Sequence, residues 1–408
     1  MTEVMRGIRI LEVAEHTFVP AASAILSDWG ADVFKIEPVE RGDAMRGIMS
    51  TGGLGLGGSD GWHPLLHHSN RGKRSLALDL SVQEGVDIVY KLAATCDVFL
   101  TNKLPAVRAK LRIDVDDIRA ANPNIVYVRG SGYGSRGPDA DRGGYDILGY
   151  WCRSGVAYGA KPVEVDTIPA QPAPAYGDSI GAMTIAGGIS AALLHRERTG
   201  EAPVVDVSLL ATGMWAMGAA IALSHELNHP WGQMPVGADV GNPLTATYRT
   251  ADDGWLQLSC LQGFRYWPET CRVTGLTELI EDERFAEPEA FAAHTGEARA
   301  ILAARFAEAT LAEWKTRLAD FRGQWAPVQD PIEVTSDPQV VANGYIVDAE
   351  SAAGKKHPLV ATPVQFDGSP SPTRRAPEFN EHGDAILTDD LGMDWDTVVD
   401  LKVKGVIA

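Results

Sequence analysis

The chain has 408 residues, of which 45% are hydrophobic, so it holds more apolar material than one minimal core needs and we expect two or three domains. This length excludes a small binding module. The 36 Lys and Arg are outnumbered by 54 Asp and Glu, and the resulting net charge of −18 repels phosphates and argues against a nucleic-acid partner.

Strands and helices alternate along the first third of the chain. Residues 8–14 and 32–37 are rich in Ile, Leu and Val and flank a helical segment at 20–29, which predicts a βαβ unit. The pattern continues with strands at 74–80, 97–101 and 125–129 and with helices at 83–94, 107–111 and 115–121. This alternation predicts a large Rossmann-like α/β domain with a parallel sheet that binds its ligand at the carboxyl ends of the strands.

The rest of the chain has a different character. Two helical stretches are predicted at 179–198 and 207–227, followed by a strand pair at 246–250 and 255–260 that turns on Asp252-Asp253-Gly254. Helices rich in Ala and Glu, at 267–274 and 297–319, complete a smaller α+β domain. The tail is interrupted by many prolines, so we expect it to wrap back rather than fold alone. The predicted parts are a large domain beginning with residues 1–225, a small domain at 226–330, and a tail at 331–408 that returns to the large domain and completes its sheet.

Compartment signals favour a cytoplasmic protein. The four cysteines form no CxxC pair and no dense framework, and charges interrupt the N-terminal segment where a signal peptide would need an apolar core. The most apolar stretches, at 181–194 and 211–224, are shorter than a bilayer span. We therefore expect no membrane partner.

Positive charge is concentrated in one region. Between residues 31 and 110, ten Lys and Arg oppose nine Asp and Glu, so this region is nearly neutral within an acidic chain. Its basic side chains are candidates for contacting a phosphorylated ligand. They are Lys35, Arg41, Arg46, Arg71, Lys73, Arg74, Lys103, Arg108 and Lys110.

Three motifs are considered and set aside. Residues 132–137 match G-x-G-x-x-G after a strand, but Pro138 and the residues that follow continue a loop where a dinucleotide site needs a helix. The glycine-dense loop at 52–61 lacks the Lys-Ser/Thr of a P-loop. The histidines beside it (His63, His67 and His68) have no acid or cysteine in a compatible frame, so we predict no metal site.

The most informative segment begins at Tyr176-Gly177-Asp178-Ser179-Ile180-Gly181 and continues through residues 191–200, AALLHRERTG. Asp178 precedes a helix of small apolar residues, so it is a candidate N-cap. The same carboxylate is a candidate nucleophile, with close backbone approach allowed by Gly177 and Gly181. The two roles are compatible.

This segment resembles the family III CoA-transferases, which include formyl-CoA:oxalate and carnitine CoA-transferases and share G-D-S-x-x-G followed by A-A-L-L-x-R-E-x-T-G. Asp178 falls on the family's catalytic aspartate. Further matches include residues 7–12, 30–37, Gly42-Asp43, Lys73-Arg74-Ser75, Asn102, the loop at 132–138 and Gly144-Tyr145-Asp146. The resemblance implies transfer of CoA from an acyl-CoA to a carboxylic acid through an aspartyl anhydride and an aspartyl-CoA thioester.

The resemblance also implies a binding site and an assembly. Residues on positions that line the CoA site are Thr17, Leu78, Asn102, Lys110 and Tyr145, and Arg46 is a further candidate because Pro38 and residues 103–106 depart from the family pattern. Acyl-CoA is a substrate, with no covalently bound cofactor at rest and no metal. The expected assembly is an interlocked homodimer, with residues 200–235 and 325–350 as the connecting arms.

Two alternatives stay open. The α-methylacyl-CoA racemase branch has a similar fold and aspartate, but it resembles G-H-D where this chain has Gly144-Tyr145-Asp146, and tyrosine is a poor acid/base substitute for histidine near neutral pH. The second alternative is a CoA-binding protein that has no catalytic activity. Residues 236–243 also lack the glycine run of formyl-CoA transferase, which argues against an oxalate-type substrate.

Overall fold

The computed structural model describes residues 2–51, 53–56, 60–163, 165–232 and 241–408. The chain divides into two compact units. The large unit comprises Met1–Lys161, Thr167–Gln233 and Gln339–Ala408, and the small unit comprises Pro162–Asp166 and Met234–Pro338.

The first half of the chain supplies most elements of the large unit. In chain order these are β1 (Arg9–Val13), α1 (Phe18–Asp28), β2 (Asp32–Pro38), β3 (Ser50–Thr51), β4 (Leu54–Gly55), α2 (Pro64–Asn70), β5 (Arg74–Leu78), α3 (Gln83–Ala93), β6 (Val98–Thr101), α4 (Pro105–Leu111), α5 (Val115–Ala121), β7 (Val126–Ser131), α6 (Val156–Gly159), α7 (Tyr176–Thr199), β8 (Val204–Ser208), α8 (Leu209–Ala216) and α9 (Gly218–Leu227). A short 3₁₀ turn spans Ala44–Gly47 and a π-helical turn spans Ile147–Cys152.

The remaining elements belong to the small unit and the tail. They are β9 (Thr247–Arg249), β10 (Trp255–Leu258), α10 (Gly263–Thr274), α11 (Pro288–Ala293), α12 (Thr295–Phe306), α13 (Leu311–Arg317), β11 (Trp325–Pro327), α14 (Pro338–Asn343), β12 (Ile346–Glu350), β13 (Lys356–Val360), α15 (Gly383–Ala385) and α16 (Trp395–Val403). Further 3₁₀ or π turns span Thr277–Ile280, Glu333–Ser336 and Ile386–Asp390.

Six parallel strands form the main sheet in the order β5-β2-β1-β6-β7-β8. The predicted α/β fold with a parallel sheet is thereby confirmed. The order of connection reverses between β1 and β6, which makes the space beyond their carboxyl ends the switch point of the sheet. The sixth strand, β8, was not predicted, because residues 204–208 run directly into an apolar helix and the helical pattern dominates this stretch.

Helices cover both faces of this sheet. Alternate residues of β1 point to opposite faces, so Ile10 packs with α1 and α7 while Leu11 packs with α3 and α16. Every residue of α1 is buried. By length and mean hydropathy, the 24 residues of α7 would be long enough to cross a bilayer. Eight of its residues lie buried along one face at helical spacing, as in a core helix of a globular unit.

The tail returns to the large unit without extending the main sheet. We expected it to complete the sheet, and this expectation is wrong for the residues described: the tail contributes one isolated antiparallel bridge, between Leu78 and Ile407. Its apolar side chains Val398, Leu401 and Val406 instead join the core beneath α3. Short segments between prolines are better suited to covering a sheet with a helix than to adding a strand.

The small unit is built on a three-stranded antiparallel sheet in the order β11-β10-β9. The predicted hairpin is confirmed, with Trp255 opposite Arg249 and a left-handed Asp253 at the turn. Large aromatic side chains from the surrounding helices fill its core, including Trp267 and Trp314.

Candidate active site

A cavity of the large unit lies at the switch point of the main sheet. It has a volume of about 510 Å³, and its walls come from the loops that follow β1, β6 and β7, together with the first turn of α7. Among the predicted site residues, Asn102, Tyr145 and Asp178 line it. Chain segments far apart in sequence therefore meet where the topology of a parallel sheet places a ligand.

Asp178 lies in the first turn of α7, not at its N-cap. The N-cap residue is Ala175, which has a left-handed backbone with φ of 56°, so the expectation that Asp178 caps the helix is wrong. In the part of the chain that the structure describes, no group donates a hydrogen bond to its carboxylate. Burial, and secondarily the negative charge of Asp146, raise the pKa of Asp178 to about 7.

Two glycines bring the backbone of α7 close to its neighbours, as we expected from the sequence. A Cβ atom on Gly177 would lie 2.5 Å from the side chain of Tyr150, and one on Gly181 would overlap the ring of Phe18. Phe18 in turn lines the cavity. These glycines thus set the depth at which the first turn of α7, and with it Asp178, enters the site.

The loop after β7 forms another wall. It continues past Gly137 without a helix, as predicted, so the G-x-G-x-x-G match has no helix N-terminus to offer a pyrophosphate. A Cβ atom on Gly132 would lie 2.8 Å from the Cα of Gly144, which shows that two backbone segments approach closely here. The glycine at position 132 therefore serves packing of the cavity wall.

The loop after β1 is held rigidly. Asn102 accepts from the backbone N–H of Glu15 at 3.2 Å and donates from Nδ2 to the Glu15 carbonyl at 2.7 Å. The backbone N–H of His16 donates to Asp43 at 3.0 Å. Sequence analysis missed His16, which lines the cavity and packs edge-on against Tyr145, with 5.7 Å between ring centroids. The signal available was a lone histidine between a strand and a helix, which is too common to single out.

A second cavity of about 230 Å³ adjoins the first, since Glu15 and Lys103 line both. Leu78 lines this smaller cavity. Helix α4 borders the pair, with Val107 on the larger cavity and Leu111 on the smaller one. Together the two cavities form an elongated site that suits a long ligand with a compact group at one end.

The other predicted binding residues lie outside both cavities. Thr17 is buried at the start of α1. Arg46 forms a two-pronged ion pair with Glu37 and also donates to the carbonyl of Pro377, so its guanidinium is engaged within the protein. Lys110 is exposed on α4.

Most of the basic side chains that we considered as phosphate contacts are used internally. The ion pairs are Lys35 and Lys73 with Glu12, Arg41 and Lys103 with Glu15, Arg46 with Glu37, Arg71 with Asp28, Arg74 with Asp390, and Arg108 with Asp114. Among the nine candidates, Lys110 alone has no ion pair within the described residues. The sequence reveals the cations, but most of their partners lie 20 or more residues away in the chain.

His68 supports the first turn of α7, which contains Asp178. Its Nε2 lies 3.1 Å from the hydroxyl of Ser179, which donates to the carbonyl of Ala175 at 2.9 Å. Burial, with a smaller contribution from Arg71, lowers the pKa of His68 to about 4, so the imidazole is neutral near pH 7. Across the described ranges, no cluster of three or more His, Cys, Asp or Glu is arranged to hold a metal ion.

Comparison with known proteins decides the family. The profile of CoA-transferase family III matches residues 5–383. The chain belongs to CoA-transferase family III. The (R)-2-hydroxy-4-methylpentanoate CoA-transferase of Clostridioides difficile is 30% identical over 407 residues, which cover 99% of each chain.

Two further comparisons agree with this assignment. A succinate–glutarate CoA-transferase of Agrobacterium fabrum is 29% identical over 394 residues, covering 94% of this chain and 95% of the relative. A crystal structure of a CAIB/BAIF family protein from Brucella suis matches with a TM-score of 0.79 at 26% identity, covering 94% of this chain and 98% of the other. The resemblance drawn from residues 176–200 is confirmed, and this CoA-transferase acts between an acyl-CoA and a carboxylate.

Proposed function

We propose that this CoA-transferase works by covalent catalysis, with Asp178 as the nucleophile. The observation that carries the proposal is a carboxylate without a hydrogen-bond donor in the described residues, placed on the wall of the switch-point cavity. A carboxylate held by an arginine or by several amides would be a weaker nucleophile.

The proposed reaction has two halves. A carboxylate oxygen of Asp178 attacks the thioester carbonyl, the C–S bond breaks, and CoA leaves as a thiolate from an aspartyl–acyl anhydride. The thiolate then attacks the aspartyl carbonyl and releases the donor acid as a carboxylate, which leaves an aspartyl-CoA thioester. The acceptor carboxylate attacks this thioester, and the same two steps in reverse give the new acyl-CoA and free Asp178. Charge and atoms balance without a proton, a metal or a redox partner.

The first turn of α7 supports the oxyanion formed in each addition. Since the helix begins at Tyr176, the backbone N–H groups of Tyr176, Gly177 and Asp178 have no acceptor four residues earlier in the helix. Donors at a helix start favour negative charge that develops beside them. In this proposal they serve the tetrahedral intermediates.

The two adjoining cavities suit a CoA thioester. We place the thioester beside Asp178 and Tyr145, the pantetheine arm past Asn102, and the remainder of CoA towards Leu78. Lys110 follows Val107 by three residues on α4, so it lies on nearly the same helical face as the cavity-lining side chains. It is therefore our candidate for contacting a CoA phosphate, and Thr17 and Arg46 are at most indirect contributors.

The apolar part of the larger cavity indicates which kind of carboxylic acid fits as a substrate. Phe18, Leu148 and Leu209 line it, so an acid with a branched or aromatic body fits better than a short dicarboxylate. The relative from Clostridioides difficile is named for such an acid. A screen of CoA esters against carboxylic acids, read by mass spectrometry, identifies the pair.

Replacement of the nucleophile tests the mechanism. Asp178→Ala should reduce transfer by at least about 1000-fold, since it removes the covalent route, while the dissociation constant for CoA stays within a few-fold. Wild-type enzyme given acyl-CoA and then hydroxylamine should yield an aspartyl hydroxamate at Asp178, detected by peptide mass spectrometry. Asp320→Ala, at an exposed position of the small unit, is the matched control.

The alternatives give different results in the same assays. Retained turnover by Asp178→Ala would remove Asp178 from the nucleophile role. Exchange of deuterium at the acyl α-carbon, without a trapped aspartyl species, would instead identify a racemase. Tight CoA binding with neither signal would identify a silent binding protein.

A further inference from the structure

His16 has a backbone conformation that needs an explanation. Its φ is 68°, in the left-handed region that is unfavourable for most residues other than glycine. The conformation is held by the hydrogen bond from the His16 backbone N–H to Asp43 and by the two hydrogen bonds between Asn102 and the backbone of the preceding Glu15. Asp43 is itself buried and paired with Lys35 at 2.7 Å. The surrounding structure therefore fixes His16 in a strained and rigid position.

This position presents the imidazole to the cavity. The ring packs edge-on against Tyr145. His16, Tyr145 and Asp178 all line the switch-point cavity. Its neighbours are already engaged: Glu15 pairs with Lys103 and Arg41, and the amide of Asn102 is used on the backbone of Glu15. Within the described ranges neither ring nitrogen of His16 has a hydrogen-bond partner, so the imidazole is left for a ligand.

The ligand must overcome a local excess of negative charge. Both acids of a CoA transfer are carboxylates, and each has to approach Asp178, with Asp146 close enough to affect it electrostatically. A fixed arginine would attract the acid but would also pair with Asp178 and weaken it as a nucleophile. A histidine N–H offers an attractive donor without a permanent charge.

We propose that His16 is a substrate-contacting residue, which donates a hydrogen bond to a carboxylate oxygen of the acid as it enters or leaves the site. In the anhydride that oxygen is the acyl carbonyl oxygen, so a single donor serves both acids. This inference rests on the proposed function and assigns the acid-binding contact to a residue outside the sequence motif.

Two variants separate the loss of the His16 hydrogen-bond donor from any change in the backbone conformation at this position. His16→Gly tolerates the positive φ and removes the imidazole, whereas His16→Asn tolerates the same φ and keeps an amide N–H. His16→Gly should lower kcat/KM for the acid by roughly 10- to 100-fold, the usual worth of one hydrogen bond to a charged group. The dissociation constant for CoA should stay within about twofold. His16→Asn should retain more activity towards the acid than His16→Gly.

Chemical rescue provides a readout that a merely structural role would not give. Free imidazole should restore part of the activity of His16→Gly, should not stimulate the wild type, and should have no effect on a His16→Gly, Asp178→Ala double variant. The far-ultraviolet circular dichroism of all variants should match the wild type.

Two results would overturn the inference. One is a His16→Gly enzyme with wild-type kcat and KM for acids, and the other is a defect confined to CoA binding and insensitive to imidazole. If the wild type forms no aspartyl hydroxamate and transfers no CoA, the proposed function fails and this inference falls with it. A wild-type-like His16→Gly in an otherwise active enzyme removes only the role of His16.

Discussion

Asp178 is partly buried at the wall of the cavity, and no cation among the described residues forms an ion pair with it. Its pKa of about 7 follows first from burial and then from the charge of Asp146. Asp146 accepts from the backbone N–H of Ile147 at 2.8 Å and from Gln171 Nε2 at 3.0 Å. A structural carboxylate thus raises the pKa of the proposed nucleophile.

The pH dependence of the rate tests whether Asp146 raises the pKa of Asp178. In the proposed mechanism only ionised Asp178 attacks, so kcat/KM for the acyl-CoA should fall as the pH decreases through about 7. Asp146→Asn removes a negative charge that disfavours ionised Asp178, and the acidic limb should therefore move to lower pH. Asparagine keeps an acceptor for the Ile147 amide, and Gln171 can flip to present its otherwise unpartnered Oε1.

Steady-state values of kcat/KM measured between pH 5.5 and 9 show whether the acidic limb of Asp146→Asn moves to lower pH. Asp206→Asn, which removes a partly exposed carboxylate on β8 that pairs with Arg129, is the control and should leave the limb in place. An unchanged limb in Asp146→Asn would mean that Asp146 does not influence the reacting group.

At the scale of elements, the contact between α7 and α1 determines where the first turn of α7 lies. Gly181 meets the ring of Phe18 so closely that a methyl group cannot be accommodated without movement of the ring or the helix. Phe18 also lines the cavity, so a packing change here reaches the site. Gly187 lies in the same helix, and a Cβ atom there would meet nothing within 4 Å.

These two glycines form a matched pair of substitutions. Gly181→Ala should lower the free energy of unfolding by about 1 to 3 kcal/mol through overpacking and should also reduce kcat. Gly187→Ala should raise the free energy of unfolding by up to about 1 kcal/mol, because alanine is the better helix former, with unchanged kcat. Urea unfolding and initial rates measure both effects. Equal behaviour of the two variants would contradict the packing argument.

At the scale of the whole molecule, α9 is apolar and yet has no buried residue. Leu223 and Leu227 are exposed on it, and Trp215 before it is 88% exposed. Monomeric proteins rarely leave large contiguous apolar patches in water. We propose that a second copy covers it, in keeping with the interlocked homodimer that the sequence resemblance implies.

The assembly is measured directly. Sedimentation velocity should give a mass of twice 43.7 kDa for the wild type. Leu223→Glu with Leu227→Glu should shift the population towards the monomer, since two charges would be buried without partners. Val403→Glu, at an exposed apolar position of α16, is the control and should stay dimeric. A monomeric wild type would refute the dimer.

Local sequence patterns and the family resemblance were sufficient for much of the fold and indicated three residues that line the cavity, Asn102, Tyr145 and Asp178. Strand alternation indicated the parallel sheet, Asp252-Asp253-Gly254 indicated the hairpin, and the run around Asp178 indicated the family. Each of these signals lies within a few residues, where backbone propensity and side-chain periodicity act. Patterns of that range failed for β8, because its five residues merge with a stronger helical pattern.

The tertiary structure decided what depends on distant partners. Whether a basic residue is free for a ligand was settled by ion pairs such as Arg74 with Asp390, which lie 316 residues apart in the chain. His16 became a site residue only because Asp43 and Asn102 fix its backbone beside Tyr145. The sequence by itself determined the kind of fold and indicated the carboxylate that we propose as the nucleophile. The order of the strands determined which other side chains share its cavity, because adjacency across a sheet is not encoded in local spacing.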